Sequence, residues 1–595
     1  MPTRFGLRQL VLLLIALGCS VAIVVAMVQN NRRMAAPAAP QSTAATVQAT
    51  GTQGVVSDWA RPGVPVTRSP RWTFEDPTHD SLRGVDGDFV EALEASPQTL
   101  TPFFATDAQA RRVIQDSVCQ TLGEIDRRRG DIRGQIADAW QSDPEGRWLR
   151  IKIADTAKFS DGSPVTADDV KFSLDVLRMP GIDADRTRGA VEGIDRIEVI
   201  SDRVAEFHFK EPRALNVLHA LCSLYIVPKH FYEQFTPEEL NRSTGLLMGS
   251  GPFMLKDLDP ANQWRPGSDI VLVRNPHYRP YPHSLRFTVI TDPAARLTAL
   301  RIGDIHIMRG SPDQLPVLRA DPEFTAHHRI IADPAIGSSF SAIAWNCAET
   351  SILADRRVRL AMTHLLDRQR IASEFYAGSA AIATSPFPVN SQMNDPAITP
   401  WPFDPVRAAA LLDEAGWTTR NAAGVRTHSD GRTLDIDLAI PQGSRLAEFV
   451  ALVLKDEAAK AGVRIAIITA DMAALADMQR SGRFDGALVS WSHGLPENEP
   501  RQLWHTASIA AGDNTSRFSD PEADRIIDRG EREMDTNARM ELWHRLHHVL
   551  HEEQPFTFLV NPPWIRLVSN RVKGTPNGVG YGRLKLEWHP TGDPQ

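Results

Sequence analysis

Five consecutive segments decide the fold: LDIDLAI at 434–440, LAEFVALVLKDEAAKAG at 446–462, VRIAII at 463–468, DMAALADMQR at 471–480 and FDGALVSW at 484–491. The first, third and fifth are short apolar runs that read as strands. The second and fourth carry apolar residues at three- and four-residue spacing, one closed by Gly462 and the other opened by Asp471, and read as helices. Connections are only a few residues long, so strand, helix, strand, helix, strand is the order of a wound α/β unit. Upstream, residues 339–345 read as a further strand and 355–375 as a helix, extending the unit to about 338–491.

The chain is long enough for more than this unit. Its 595 residues are 42% hydrophobic and 23% charged, which allows two or more packed cores. The regions 70–337 and 492–590 show more turns and less regular alternation. Within the first, Leu149, Ile151 and Ile153 share one face of a strand over 148–153. The turn Asp161-Gly162-Ser163-Pro164 follows, and Thr166 with Asp169 forms a capping-box pattern that opens a helix.

Net charge is −8, and 65 basic residues are scattered among 73 acidic ones, so no phosphate-tracking surface and no nucleic-acid partner is expected. The cysteines at 19, 119, 222 and 347 have no CxxC or zinc spacing. The glycine-rich run 578–582 has no strand before it and no helix after it, which argues against a nucleotide. No HExxH occurs, and Met248 stands where a nucleophile elbow around Ser250 would need glycine.

Residues 10–28 are apolar apart from Ser20, long enough for a helix to span a bilayer. Three readings compete: an uncleaved anchor, a lipoprotein modified at Cys19, since Ala16-Leu17-Gly18-Cys19 is similar to a lipobox, and a cleaved signal peptide. All three place the body outside the cytoplasm. Residues 1–34 are therefore expected as membrane anchor or signal segment. The uncharged Ala, Pro and Thr-rich stretch that follows is read as a linker over 35–69.

One segment carries a family resemblance. IADAW at 136–140 followed by FSDGSPVTADDVKFS at 159–173 resembles the signature of the extracellular solute-binding proteins of ABC importers, family 5, the peptide- and nickel-binding type. Further matches come in order: IVPKH at 226–230, GSGPF at 249–253, RNPHY at 274–278, Trp345-Asn346, DRRVRLA at 355–361, ALLDEAGW at 410–417 and Phe484-Asp485. Two departures stand out. His306 occupies the place of an acid after Gly303, and no carboxylate follows Trp491 until Glu497.

The resemblance implies an α/β, two-lobed periplasmic-binding-protein fold, type II and cluster C-like, here with an N-terminal transmembrane helix. Lobe I comprises 70–337 and 492–590, lobe II comprises 338–491, and the chain crosses near 338 and 491. It implies a non-enzymatic, cofactor-free, monomeric receptor that binds a peptide or similar amphipathic solute between the lobes. The partners implied are an ABC permease and ATPase. Its place is periplasmic or extracytoplasmic, tethered to the bacterial cytoplasmic membrane through the N-terminal helix.

The candidate ligand-contacting residues are Gly249, Ser250, Gly251, Trp345, Asn346, Trp491, Ser492, His493, Glu497, Asn514 and Arg517. The glycines either admit a ligand backbone or make a tight turn. Trp345 with Asn346 and Trp491 with Ser492 end two strands, where open α/β sheets place ligands, or else pack the hinge. Glu497 or Glu499, in the loop with His493, either substitutes as the anchor for a peptide amine or is a solvated loop charge, and Arg517 suits a carboxylate. His544, His548 and His551 share a helix face with metal-capable spacing on an otherwise ordinary amphipathic pattern. Two rival readings follow: a metal or metallophore receptor, and a membrane-tethered signalling or scaffold protein that keeps the fold without transport.

Overall fold

The structure is a computed structural model that describes residues 59–69, 88–105, 107–125, 132–277, 283–333, 339–492, 497–573 and 589–590. Three main sheets organise it. The first is antiparallel with five strands, in the order Thr67–Arg68, Ala137–Ser142, Trp148–Ile153, Val204–Phe209 and Ile194–Ser201. Leu149, Ile151 and Ile153 are fully buried, as their alternation predicts. The signature segment builds the neighbouring helix Ala167–Leu177. Thr166 Oγ1 accepts from the Asp169 amide, the Asp169 carboxylate accepts from the Thr166 amide at 2.8 Å, and both halves of the capping box are made. The other Asp169 oxygen accepts from the Lys229 amide at 2.8 Å, so the cap also ties the helix to the PKH segment.

The second sheet has seven strands, in the order His328–Asp333, Trp564–Ser569, Ile307–Arg309, Asp88–Leu93, Ser284–Val289, Ile270–Arg274 and Phe253–Leu255. His306 is accommodated here by its Nδ1 accepting the Val90 amide at 3.0 Å, with its ring stacked on Phe89. The first two sheets belong to one body, joined by hydrogen bonds such as Ser160 N to Gly249 O at 3.0 Å.

The third sheet is the one the opening segments predict. Asp435–Pro441 runs parallel to both Arg464–Ala470 and Gly486–Ser492. Arg445–Ala461 and Met472–Ser481 are its connecting helices, closed by Gly462 and Gly482 in left-handed conformation. Ser339–Trp345 is antiparallel to Gly486–Ser492 and to Phe556–Asn561, which makes the sheet mixed. Both faces are covered. Ile343 and Trp345 face a core that includes Val450 and Leu454, while Phe340, Ala342 and Ala344 face one that includes Trp504, Trp543 and Leu546.

Two crossings join the second and third sheets. The first lies between Asp333 and Ser339, close to the expected 338. The return lies between Asn561 and Trp564, not near 491, because the chain after Ser492 remains bound to the third sheet. The reason is packing: the apolar side of Thr536–Glu553 needs a sheet face, and the Phe340, Ala342 and Phe558 face provides it. Pro562 and Pro563 then break the ladder at the return, since neither offers an amide hydrogen.

The expected fold needs one correction. Among the described residues no helix is long and apolar enough to cross a membrane, so the transmembrane helix is withdrawn from the architecture. Residues 1–58, including the 10–28 segment on which it rested, lie outside the described residues. Of the expected linker, residues 59–69 pack on the body. Trp59 is buried, Arg61 pairs with Glu206, and Thr67–Arg68 adds an edge strand beside Ala137–Ser142. Cys119, Cys222 and Cys347 are free thiols.

Candidate functional site

Three parallel strands of the third sheet end at one edge, and Ser339 opens its strand at that same edge because it pairs with Ser492. Asn561 Nδ2 donates to Ser339 O at 3.0 Å, tying the two crossing strands together, and the buried Asn561 Oδ1 has no hydrogen-bond partner among the described residues. Trp491 is half-buried against Phe340, and Ser490 and Ser492 are exposed. This edge has an aromatic surface, hydroxyls and an amide oxygen where open α/β sheets place ligands.

Trp345 and Asn346 sit at the opposite end of their strand. The antiparallel register pairs Phe340 with Trp491 but Trp345 with Gly486, so five residue steps, roughly 17 Å of strand, separate the two tryptophans. Trp345 is fully buried and its Nε1 donates to Thr557 Oγ1 at 2.9 Å. Its ring fills the space that a Cβ at Gly486 would take, 2.7 Å away. Asn346 Nδ2 donates to Phe484 O at 2.9 Å and Gly482 O at 3.2 Å.

Asn514 and Arg517 gather at that far end. Asn514 is buried, donating to Phe518 O and His505 O and accepting from the Phe518 amide, which closes its own loop. Arg517, at φ 56°, donates to Gln479 O and Arg480 O at 3.2 and 3.0 Å, placing a cation on the C-terminus of Met472–Ser481. The tail residues thus fasten a helix end and a loop of the second body.

The remaining candidates are engaged by their neighbours. Gly251 N donates to Val118 O at 2.8 Å, and a Cβ on Gly251 would come within 2.6 Å of Ser117 O, so the close approach belongs to this chain's own backbone. Ser250 is buried and donates to Gln120 Oε1 at 3.1 Å. Glu497 accepts two bonds from Arg539 and one from Trp543 Nε1 at 2.8 Å, all largely buried. His493 lies outside the described residues.

His544 is half-buried and bonded to Gln392 O, His548 is exposed and paired with Asp395, and His551 is buried and stacked on Trp401 at 5.0 Å. Burial pushes His551 down to about 4 and its neighbour His547 down to about 3. Among the described residues the one set of three potential metal ligands with atoms within 4.8 Å is Glu198, Glu206 and His208. Arg61 and Arg150 already neutralise Glu206 there.

The sequence reading missed the contacts that bridge the two bodies. Arg445 Nη1 meets Asp313 Oδ2 at 2.7 Å, and Arg319 donates to Ala377 O and Ser379 Oγ at 3.2 and 2.9 Å. At a separate place Ala214 N donates to Glu531 O at 2.8 Å, and His219 Nε2 lies 3.3 Å from Glu499 Oε1. No local pattern announces such pairs, since Asp313 and Arg445 are 132 residues apart.

Residues 131–511 match the family model of the bacterial extracellular solute-binding proteins, family 5, middle region, which covers well over half of the chain. The chain belongs to that family. This extracytoplasmic solute-binding family supplies the two-lobed frame into which the two crossings fit. The chain is 26% identical over 519 residues to the oligopeptide-binding protein AppA of Bacillus subtilis, spanning 85% of this chain and 90% of AppA. It is 25% identical over 507 residues to a probable di/tripeptide-binding protein 5 of Pseudomonas aeruginosa, spanning 81% and 91%.

Among solved structures, AppA in complex with a nonapeptide superposes with TM-score 0.68 at 24% identity, over 85% of this chain and 99% of AppA. NikA from Brucella suis in complex with Fe(III)-EDTA gives TM-score 0.73 at 21% identity, over 85% and 100%. These likenesses show the shared two-lobed fold.

Proposed function

We propose that this family 5 solute-binding protein is the receptor of an ABC importer, capturing peptides between its two bodies and presenting them to a permease and its ATPase. The observation that carries the reading is that two separately cored bodies are joined by only two chain passages, one between the strands His328–Asp333 and Ser339–Trp345 and one between Phe556–Asn561 and Trp564–Ser569. The peptide class is supported by similarity to AppA and to the Pseudomonas protein over more than four-fifths of this chain, and by the half-buried aromatic ring of Trp491 at the strand end. Chemistry on the ligand is not part of this reading: the protein binds, encloses and releases.

Closure makes physical sense for such a receptor. Enclosing a peptide removes water from its backbone groups, and affinity then reflects preferential binding to the closed arrangement. Glu497 is not available as an amine anchor because Arg539 and Trp543 already occupy it, which leaves the peptide backbone as the main polar target.

The test is mass spectrometry of ligand retained by the purified protein, combined with thermal-shift measurements using peptide pools of two to nine residues. Retained peptides, and a melting point that rises with peptide concentration, support the reading. A protein that retains no peptide and is not shifted by any pool overturns it.

A further inference from the structure

The outer face of the five-stranded sheet, in the other body from Trp491, brings three metal-binding side chains together. Val204–Phe209 alternates, so Ala205 and Phe207 enter the core while Glu206 and His208, two residues apart, share the opposite face. Glu198, on the neighbouring edge strand Ile194–Ser201, is the cross-strand partner of Glu206. Two carboxylates directly opposite each other repel, an arrangement that calls for a cation beside it.

The spacing is that of a tetrahedral site. His208 Nε2 lies 3.3 Å from Glu206 Oε1 and 3.4 Å from Glu198 Oε2, and one ligand atom from each residue falls within 4.8 Å of the others. Zinc bonds of about 2.0 Å at the tetrahedral angle put neighbouring donors roughly 3.3 Å apart, so both edges from the imidazole already have that length. His208 Nε2 is shut off from solvent and has no hydrogen-bond partner among the described residues.

Two guanidinium groups hold Glu206, and they differ. Its Oε2 accepts from Arg150 Nε at 2.7 Å and from Arg61 Nε at 3.1 Å, while Arg61 Nη2 also pairs with Oε1. Arg150 is mostly buried on the adjoining strand, so it orients the carboxylate as outer partners orient metal-ligating carboxylates. Arg61 comes from the segment before the sheet. Its side chain is over a third exposed, with its guanidinium 4.1 Å over the Trp148 ring. Its backbone is held separately by Gln141, at 2.7 and 3.1 Å. The guanidinium can therefore leave Oε1 while the segment stays attached.

We propose that Glu198, Glu206 and His208 form a zinc-binding site on this face, with solvent as the fourth ligand, and that zinc displaces Arg61 from Glu206 Oε1. One imidazole and two carboxylates are a mixed nitrogen and oxygen set that suits zinc, whereas calcium and magnesium favour larger all-oxygen sets. Glu198 and Arg61 are the exposed members, so the ion enters between them. The site does not depend on the peptide reading, because none of its residues belongs to the third sheet.

The test is calorimetric titration of the EDTA-stripped full chain with zinc chloride at neutral pH, with cobalt absorbance as the geometric readout. Zinc should bind the parent, and cobalt should give the intense visible bands of a four-coordinate ion. Glu198→Gln and His208→Gln should each weaken zinc at least tenfold without lowering the melting point of the metal-free protein. Arg61→Ala should tighten zinc several-fold, a response that loss of a merely structural ion pair would not give. The Trp491→Ala variant and the His544→Ala/His548→Ala double variant should bind zinc as the parent does.

A parent that binds no zinc overturns the site, as does zinc binding that survives both Glu198→Gln and His208→Gln, or calcium bound as tightly as zinc. Weaker zinc binding by Arg61→Ala overturns the exchange with Arg61. Peptide affinity is not read in this titration, so its failure is distinct from failure of the receptor reading.

Discussion

Glu497 and Arg539 meet in a two-pronged ion pair, at 2.6 and 3.1 Å, with Trp543 Nε1 donating to the same carboxylate at 2.8 Å. Both side chains are mostly buried, so each is the other's replacement for water. Removing the carboxylate leaves a buried guanidinium without compensation. Glu497→Ala should therefore cost about 4 kcal/mol in urea unfolding, with Arg539→Ala similar and the double variant far less than the sum. Additive losses would show that the pair does not act as a unit.

Gly251 tests whether its loop is a structural joint. Its missing Cβ is what lets the 249–251 turn lie on the Ser117 and Val118 carbonyls, and those are backbone atoms that cannot swing aside. Gly251→Ala should destabilise the protein by about 3 kcal/mol, read by chemical denaturation. Unchanged stability would mean the turn has room to spare.

The two tryptophans of the third sheet should separate by assay. Trp345→Ala removes a fully buried ring and should cost about 4 kcal/mol of stability. Trp491→Ala, at the half-buried edge, should change stability by under about 1.5 kcal/mol while weakening peptide binding at least tenfold. Calorimetry and thermal unfolding on both variants check this, and equal losses of stability would contradict the placement of Trp491.

Buried histidines give a pH dependence whose sign is fixed. His547 and His551 are lowered to about 3 and about 4 by burial, whereas an unfolded histidine takes up its proton near 6.5. The unfolded chain thus binds more protons between these values. The stabilisation is fully present above about pH 6.5 and is lost as pH falls toward 4, at about 1.4 kcal/mol per pH unit for each group. His551→Phe, which keeps a ring against Trp401, should flatten the loss between pH 6.5 and 5, measured by urea unfolding at each pH.

Much of the frame was legible in local pattern. The 434–491 run gave strands, helices and their glycine stops because periodicity and capping are short-range properties. The Thr166 and Asp169 box was readable for the same reason. The strand Ser339–Trp345 was readable too, from its run of apolar residues. The return lies at 562–563, about seventy residues beyond the expected 491, because nothing local reveals which sheet face Pro521–Gly530 and Thr536–Glu553 will cover. The Pro562-Pro563 pair was the available signal for that break.

Amino-acid order by itself determined the elements, their caps and the family, through the collinear motifs from 136 to 485, because these depend on neighbours a few positions apart. Tertiary structure decided which candidates share a site. An antiparallel register sends Trp345 and Trp491 to opposite ends of one strand pair, and burial converts Glu497 from an anchor for ligand into a partner for Arg539. Strand direction and desolvation are properties of the assembled sheet and core, so no window of sequence contains them.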